Sequence, residues 1–348
     1  MTNCLYSHWQ QPNNDWLAIN TLDMHTGGEP LRIIIDGFSN LQGQTMLEKR
    51  ADCLARFDHL RKALMFEPRG HADMYGAVIT EPEHKDSHFG VLFLHNEGYS
   101  TMCGHAIIAL ATAAKDCSIS HFIDGVNELR IDTPAGLIKA YITLKDKQLT
   151  NVCFDNVASY APKLDMHIEL PMFGAVSCDI AYGGAYYAFV DADTIDLSLA
   201  PNNHEQIISL GKAIKQKING QYQPTHPTDD ALSFLYGVIF YSNSQTSHSS
   251  FSRHVCIFAE GELDRSPTGT GVSARAALEF AKGRLAIGQR IKIESILGSV
   301  FTVELKAQCL LADINTVVPR VSGEAFVTGK HTFLIDPDDP LKQGFIFR

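Results

Sequence analysis

The chain has 348 residues, 45% hydrophobic and 20% charged, which is enough apolar material for two cores and too much for extended disorder. Thirty-nine Asp and Glu against twenty-nine Lys and Arg leave a net charge of −10 and a pI near 5.8, so no global basic field exists to hold nucleic acid or an anionic membrane, and the expected partner is a small molecule. The eight cysteines (Cys4, Cys53, Cys103, Cys117, Cys153, Cys178, Cys256 and Cys309) include no C-x-x-C pair, which excludes a zinc ribbon, a thioredoxin-type site and a secreted disulfide framework, and fits a reducing cytoplasm.

The leader from Met1 to Asp15 is polar and lacks the basic and apolar regions of a signal peptide, and no run of roughly eighteen apolar residues follows anywhere in the chain. Trp16 to Ile19 enters Thr21-Leu22-Asp23-Met24-His25-Thr26-Gly27-Gly28-Glu29-Pro30, where the two glycines let backbone approach another group closely. Leu31 to Ile35 then reads as a buried strand ending at Asp36-Gly37. Leu47 to Ala63 has apolar residues at helical spacing and predicts a surface helix, stopped by Glu67-Pro68-Arg69-Gly70-His71. Val78 to Thr80 and Val91 to Leu94 are predicted strands.

Met102-Cys103-Gly104-His105 next opens the apolar stretch Ala106-Ile107-Ile108-Ala109-Leu110, which predicts a buried helix with a cysteine on the turn before it. Unpaired N–H groups at a helix start carry about half a positive charge, so they bind a carboxylate and favour a thiolate. Cys103 is therefore a candidate base or nucleophile, although a cysteine in such a setting is by itself more often a small packing residue.

Strands are predicted at Leu129 to Ile131, Leu137 to Leu144 and Val152 to Phe154, and the mixed stretch from Tyr160 to Met172, with Pro162 and Pro171, predicts a crossover. The second half repeats the pattern. Tyr182-Gly183-Gly184 precedes a strand from Ala185 to Val190; Ile207 to Ile218 is helical; Leu235 to Tyr241 and Val255 to Phe258 are strands. Asp264-Arg265-Ser266-Pro267-Thr268-Gly269-Thr270-Gly271 then opens an alanine-rich helix from Val272 to Ala281, and Ile291 to Ile293, Val300 to Leu305 and Ala325 to Val327 supply further strands. Cys103 and Thr268 lie 165 residues apart, close to half the chain, as two homologous halves require. Two helix starts facing one cleft would hold a small anion between them. The pattern predicts two similar α+β domains, at 20–160 around the Cys103 helix and 161–335 around the Thr268 helix, with a tail at 336–348 packing back on the first.

Taken together, Met24-His25-Thr26-Gly27-Gly28-Glu29-Pro30, Met102-Cys103-Gly104-His105, Tyr182-Gly183-Gly184 and the segment from Asp264 to Gly271 resemble the proline racemase family over most of the chain. The resemblance implies a cofactor-independent, metal-free homodimeric enzyme with two pseudo-symmetric domains of the diaminopimelate epimerase type, each a curved, mostly antiparallel sheet around a central helix, and an active site in the cleft between them. Racemases and hydroxyproline epimerases of the family carry a cysteine on each side of that cleft. Here the second position is Thr268, whose hydroxyl has no useful pKa near neutrality. The Cys/Thr pair resembles the subgroup that dehydrates trans-3-hydroxy-L-proline, in which one base removes the α-proton and the hydroxyl on the same ring face leaves as water.

The resemblance also assigns roles. Backbone N–H groups of Gly104, His105, Gly269 and Thr270 would hold the substrate carboxylate, Asp264 would bind the ring nitrogen, and His105 would add a donor or help to keep Cys103 ionised. Thr268 is either a plain N-cap or a hydrogen-bond partner for the hydroxyl or a water, and both readings stay open. The alternative activity is proline racemisation or 4-hydroxyproline 2-epimerisation. Gly269-Thr270-Gly271-Val272-Ser273-Ala274 also fits G-x-G-x-x-A with Glu294 downstream, the mark of an NAD(P)-dependent oxidoreductase, but it does not follow a strand directly. A non-catalytic proline-binding protein is the remaining alternative.

Overall fold

The computed structural model describes residues 15–38, 40–117, 121–171, 174–247 and 250–347; the polar leader read at 1–14 lies outside them. The first half runs β1 (Leu17–Thr26), β2 (Glu29–Asp36), α1 (Met46–Met65), β3 (Tyr75–Thr80), β4 (Phe89–His95), β5 (Gly98–Ser100), α2 (Gly104–Ala114), β6 (Gly125–Thr133), β7 (Gly136–Lys145) and β8 (Gln148–Asp155). The second runs β9 (Tyr160–Leu170), β10 (Gly174–Tyr182), β11 (Tyr186–Asp191), α3 (His204–Asn219), β12 (Leu235–Ser242), β13 (Ser252–Phe258), β14 (Glu262–Leu263), α4 (Gly269–Ala281), β15 (Arg290–Glu294), β16 (Val300–Leu311), β17 (Ile314–Gly323) and β18 (Ala325–Ile335).

The pairings repeat strand for strand. β1 and β2 are antiparallel, β2 and β3 parallel, β3 and β4 antiparallel, β4 and β6 parallel, then β6, β7 and β8 antiparallel. β10 to β17 follow the same scheme, with β11–β12 and β13–β15 as the parallel pairs. β5 and β14 hang on β4 and β13 in equivalent places. The two sets join where β17 pairs with β8, and β18 crosses back to β1, taking the place that β9 takes beside β10. A mixed fold with a large, mostly antiparallel sheet results.

Each helix type follows from its sequence. α1 starts with a capping box, the Thr45 hydroxyl accepting from the Glu48 amide while the Glu48 carboxylate accepts from Thr45. α3 buries Ile207, Leu210, Ile214 and Ile218, one stripe of a surface helix. α2 and α4 are instead small and apolar almost all round and lie inside the molecule, sharing one core that also takes in Phe93, Ile131, Phe154, Phe189 and Phe301. Flanking cores sit under α1 and α3.

Two stretches differ from the sequence expectation. Tyr160 to Met172, read as a crossover on account of its prolines, is largely the strand β9 with Met166, Ile168 and Leu170 turned inward. Pro162 falls where the β9–β10 register slips, so no ladder N–H is needed there. β17 was not expected either. Its Pro319 faces Leu305 at the bulge in β16, which again removes the need for a donor. The tail lies against the turn after α1, where Glu67 and Phe345 exchange backbone hydrogen bonds at 2.9 Å and Arg69 meets Asp339 at 3.5 Å.

The first residues of α2 and α4 touch. A Cβ built on Gly104 would lie 2.5 Å from the Gly269 Cα, and one on Gly269 would lie 2.5 Å from the Gly104 Cα. Backbone cannot give way as a flexible side chain does, so a methyl at either position forces the helix starts apart. Gly104→Ala is expected to cost about 1–3 kcal/mol of stability, the usual range for overpacking, in chemical denaturation. An unchanged midpoint would mean that the helices part freely.

Candidate active site

The two helix starts bring the sequence-predicted residues together. Cys103 occupies the N-cap position of α2 in extended conformation, and Thr268 occupies that of α4. The first intrahelical bonds run from the Ile107 amide to the Cys103 carbonyl (3.1 Å) and from the Val272 amide to the Thr268 carbonyl (2.8 Å). The amides of Gly104, His105, Gly269 and Thr270 therefore have no partner within their helices, and these four residues line one cavity. Each such terminus stabilises a partly buried anion by up to about 2 kcal/mol, and two of them act on the same point.

Between them lies a cavity lined by Cys103, Gly104, His105, Asp264, Thr268, Gly269 and Thr270, together with Tyr75, Met102, Tyr187, Tyr236 and Phe258. Its volume is about 20 Å³, room for roughly one water, so the cleft is closed in this structure. A larger cavity of about 380 Å³ sits between Met46, Asp132, Gly136 and Asp229. None of the sequence-predicted site residues lines it, and its buried carboxylate, Asp132, is occupied by Ser87, His84 and two backbone amides.

Thr268 does not cap its helix. Its hydroxyl donates to Asp264 Oδ2 at 2.8 Å, and its amide donates to the Ser266 hydroxyl at 3.1 Å. The backbone there has φ +67° and ψ 98°, unusual for a β-branched residue and costing about 1–3 kcal/mol. A hydrogen bond to a carboxylate contributes roughly 1.5–3 kcal/mol, enough to hold the conformation. Asp264 Oδ1 accepts from the Ser266 amide at 2.7 Å, which orients the carboxylate into the cavity.

Cys103 is buried, with its sulfur 3.1 Å from His105 Nδ1. Burial pushes the thiol well above its ordinary value; the Ala106 amide works against that, Asp264 adds to it, Tyr75 lowers it and Glu29 raises it. Burial lowers the His105 pKa, so the imidazole is neutral beside a protonated thiol. The missing element is positive charge. A cation placed against Asp264 would cancel one of the charges that hold the thiol protonated.

Sequence reading missed part of the cavity wall and a buried acid near it. Glu29, in the Gly-Gly turn motif, is fully buried; its Oε2 accepts from the Arg265 amide at 2.7 Å while Oε1 has no partner, and burial followed by Asp264 raises its pKa strongly. Tyr75, Tyr187, Tyr236 and Phe258 arrive from four separate strands with no shared spacing to betray them. Gly183 and Gly184 prove to be packing positions: a Cβ on Gly183 would lie 2.3 Å from the Thr270 carbonyl oxygen, and Gly184 has φ +103° beside Thr270 and Met102.

The dinucleotide reading does not survive. Gly269, Thr270 and Gly271 are the first turn of α4 itself, and Glu294 is bound to Ser247 and to Arg253 at 2.6 Å. Among the described residues no group of three His, Cys, Asp or Glu side chains is placed to hold a metal ion, and no helix is long and apolar enough to cross a membrane.

Comparison with known proteins places this geometry. The family model described as proline racemase matches residues 21–346. A trans-3-hydroxy-L-proline dehydratase of Colwellia psychrerythraea is 49% identical over 345 residues, covering 99% of this chain and 97% of its own. A human protein of the same name is 41% identical over 336 residues, 95% of each chain. Among solved structures, a hydroxyproline epimerase from Agrobacterium vitis with bound trans-4-hydroxy-L-proline superposes with a TM-score of 0.89 at 29% identity, covering 96% of both chains. With the family model covering nearly the whole chain and two near full-length relatives above 40% identity, the chain belongs to the proline racemase family.

Proposed function

We propose that the chain is a trans-3-hydroxy-L-proline dehydratase, a hydro-lyase in which Cys103 removes the α-proton and the 3-hydroxyl leaves as water. The observation that carries the reading is the single thiol: Cys103 at one helix start faces Thr268 at the other, and the threonine hydroxyl is committed to Asp264. One base suffices for elimination and not for inversion, which needs a proton donor on the second face. Relatives at 40–49% identity over nearly their full lengths carry the dehydratase name.

The residue roles follow from charge and position. The amides of Gly104, His105, Gly269 and Thr270 hold the substrate carboxylate and the charge that builds on it as the α-proton leaves. Asp264 receives the ring ammonium, and Thr268 fixes Asp264 by its 2.8 Å bond. The bound cation then offsets the Asp264 charge and lets the thiol ionise only in the presence of substrate. In the trans isomer the hydroxyl lies on the same ring face as the α-hydrogen, so Cys103 works on the face where the oxygen departs. The product is the enamine, which tautomerises to Δ1-pyrroline-2-carboxylate.

We further propose that the two halves, divided near residue 160, act as pseudo-symmetric domains closing on the substrate, and that the enzyme works as a cytoplasmic homodimer. The repeated strand order and the seven free cysteines among the described residues support these readings. The exposed Val300, Phe326 and Val327 offer apolar surface for a second copy.

The assignment is tested by activity, by variants and by pH. Purified protein given trans-3-hydroxy-L-proline is expected to form imine, trapped with o-aminobenzaldehyde, and Cys103→Ser is expected to lose roughly 10³-fold or more of that rate. Inverted trans-4-hydroxy-L-proline without imine would overturn the reading. Thr268→Cys should add inversion of L-proline or trans-4-hydroxy-L-proline, seen by chiral chromatography, by supplying the second thiol. Because burial raises the free-enzyme thiol, the thiolate fraction grows with pH, so kcat/KM is expected to climb about tenfold per pH unit through the neutral range. Asp264→Asn should shift that limb to lower pH while raising KM.

A further inference from the structure

Elimination leaves one proton to be accounted for. The departing hydroxyl must be protonated, and the proton taken by Cys103 has to travel from sulfur to oxygen. Among the cavity hydroxyls, the Tyr187 hydroxyl is bonded to Thr270 Oγ1 at 2.7 Å, that of Thr268 donates to Asp264, and Tyr236 stands on β12, so all three belong to the second half of the chain. Tyr75 belongs to the Cys103 side. Its ring packs edge-on against His105 with centroids 4.8 Å apart, its hydroxyl is bonded to Ser100, just ahead of the Met102-Cys103 turn, and it lines the same small cavity as Cys103. Either hydroxyl can donate in that bond, and when Ser100 does, the Tyr75 O–H is left for the cavity that it shares with Cys103 and Tyr236. Tyr75 is 3% exposed, so water does not compete for that proton.

We propose that Tyr75 is the general acid of the dehydration, relaying the proton from Cys103 to the leaving hydroxyl. The proposal rests on the dehydratase reading above. The Cα–H bond breaks and its proton goes to the Cys103 thiolate, forming S–H. The electron pair left on Cα forms the Cα–Cβ double bond as the C3–O bond breaks, and the Tyr75 O–H proton passes to the departing oxygen, giving water. The Cys103 S–H then returns a proton to the Tyr75 phenolate across the cavity that both residues line, restoring thiolate and phenol. The cycle consumes no other reagent. Burial, with the neighbouring Cys103 and Tyr236, keeps the phenol protonated at rest, so the donor is loaded before substrate arrives.

The test separates this step from α-proton removal. Tyr75→Phe keeps the ring and its packing on His105, so folding is checked by an unchanged Tm. In this variant, dehydration of trans-3-hydroxy-L-proline is expected to fall roughly 10²–10⁴-fold, the span of a general acid. Exchange of the α-hydrogen of L-proline in D2O, followed by NMR, should stay within about tenfold of wild type. Fluoride departs without a proton, so fluoride release from trans-3-fluoro-L-proline by Tyr75→Phe should approach the wild-type rate. Equal losses in hydroxyl elimination, fluoride elimination and exchange would overturn the proposal and reduce Tyr75 to a packing residue; so would wild-type dehydration by the variant. Absence of imine with wild-type protein that still exchanges the α-hydrogen would instead overturn the dehydratase reading itself.

Discussion

Everything in the site depends on two glycines meeting. Gly104 and Gly269 bring two helix N-termini into backbone contact, and neither tolerates a Cβ. That contact sets the spacing of the unpaired amides and places Cys103 and Thr268 on opposite walls of one small cavity. It also accounts for the composition of α2 and α4. Helices that start in the centre of the molecule are surrounded on every side, so they are rich in alanine and other small or apolar residues, with Arg275 and Glu279 of α4 buried as an ion pair, where a surface helix such as α3 has a polar face.

The electrostatics of the cavity are unfavourable until it is filled. Asp264 shares a dry cavity with a thiol and a neutral imidazole, Glu29 is buried nearby against the Arg265 amide, and each of the acids raises the thiol. Helix termini alone do not overcome burial in the empty site. In the proposed assignment a zwitterionic amino acid would supply what is lacking on both sides, a carboxylate for the amides and an ammonium for Asp264. On that proposal, selectivity for zwitterions and activation of the base would arise from the same charges, and the thiol stays protonated between turnovers.

Much of this was legible in the sequence because it rests on local signals. The turns at Cys103-Gly104 and Thr268-Gly269, the apolar runs after them and their separation by half the chain are all short-range or periodic features. Where a stretch was misread, a proline was responsible: Pro162 marks a break by local rules, yet it sits at a register slip that tertiary pairing had already prepared. The aromatic wall was not legible at all. Tyr75, Tyr187, Tyr236 and Phe258 are ordinary strand residues, and only the pairing of four strands around α2 and α4 turns them toward one point. Thr268 shows the converse, since its position was evident and its behaviour was not: the expected cap bond is absent and the hydroxyl serves Asp264.

The return of β18 to β1 has a further consequence for how the molecule comes into being. β18 pairs with β1 along its whole length, from Leu17 opposite Ile335 to Thr26 opposite Ala325, although some 300 residues intervene. During synthesis the first sheet therefore stands with an open edge until the last strand has emerged, whereas the second sheet receives its corresponding strand, β9, before β10 is made. Two halves with the same strand plan thus mature in opposite order, the later one able to close first. The ends of the chain become a shared seam, and the long-range pairing that forms it carries the high loop-closure cost that slows assembly.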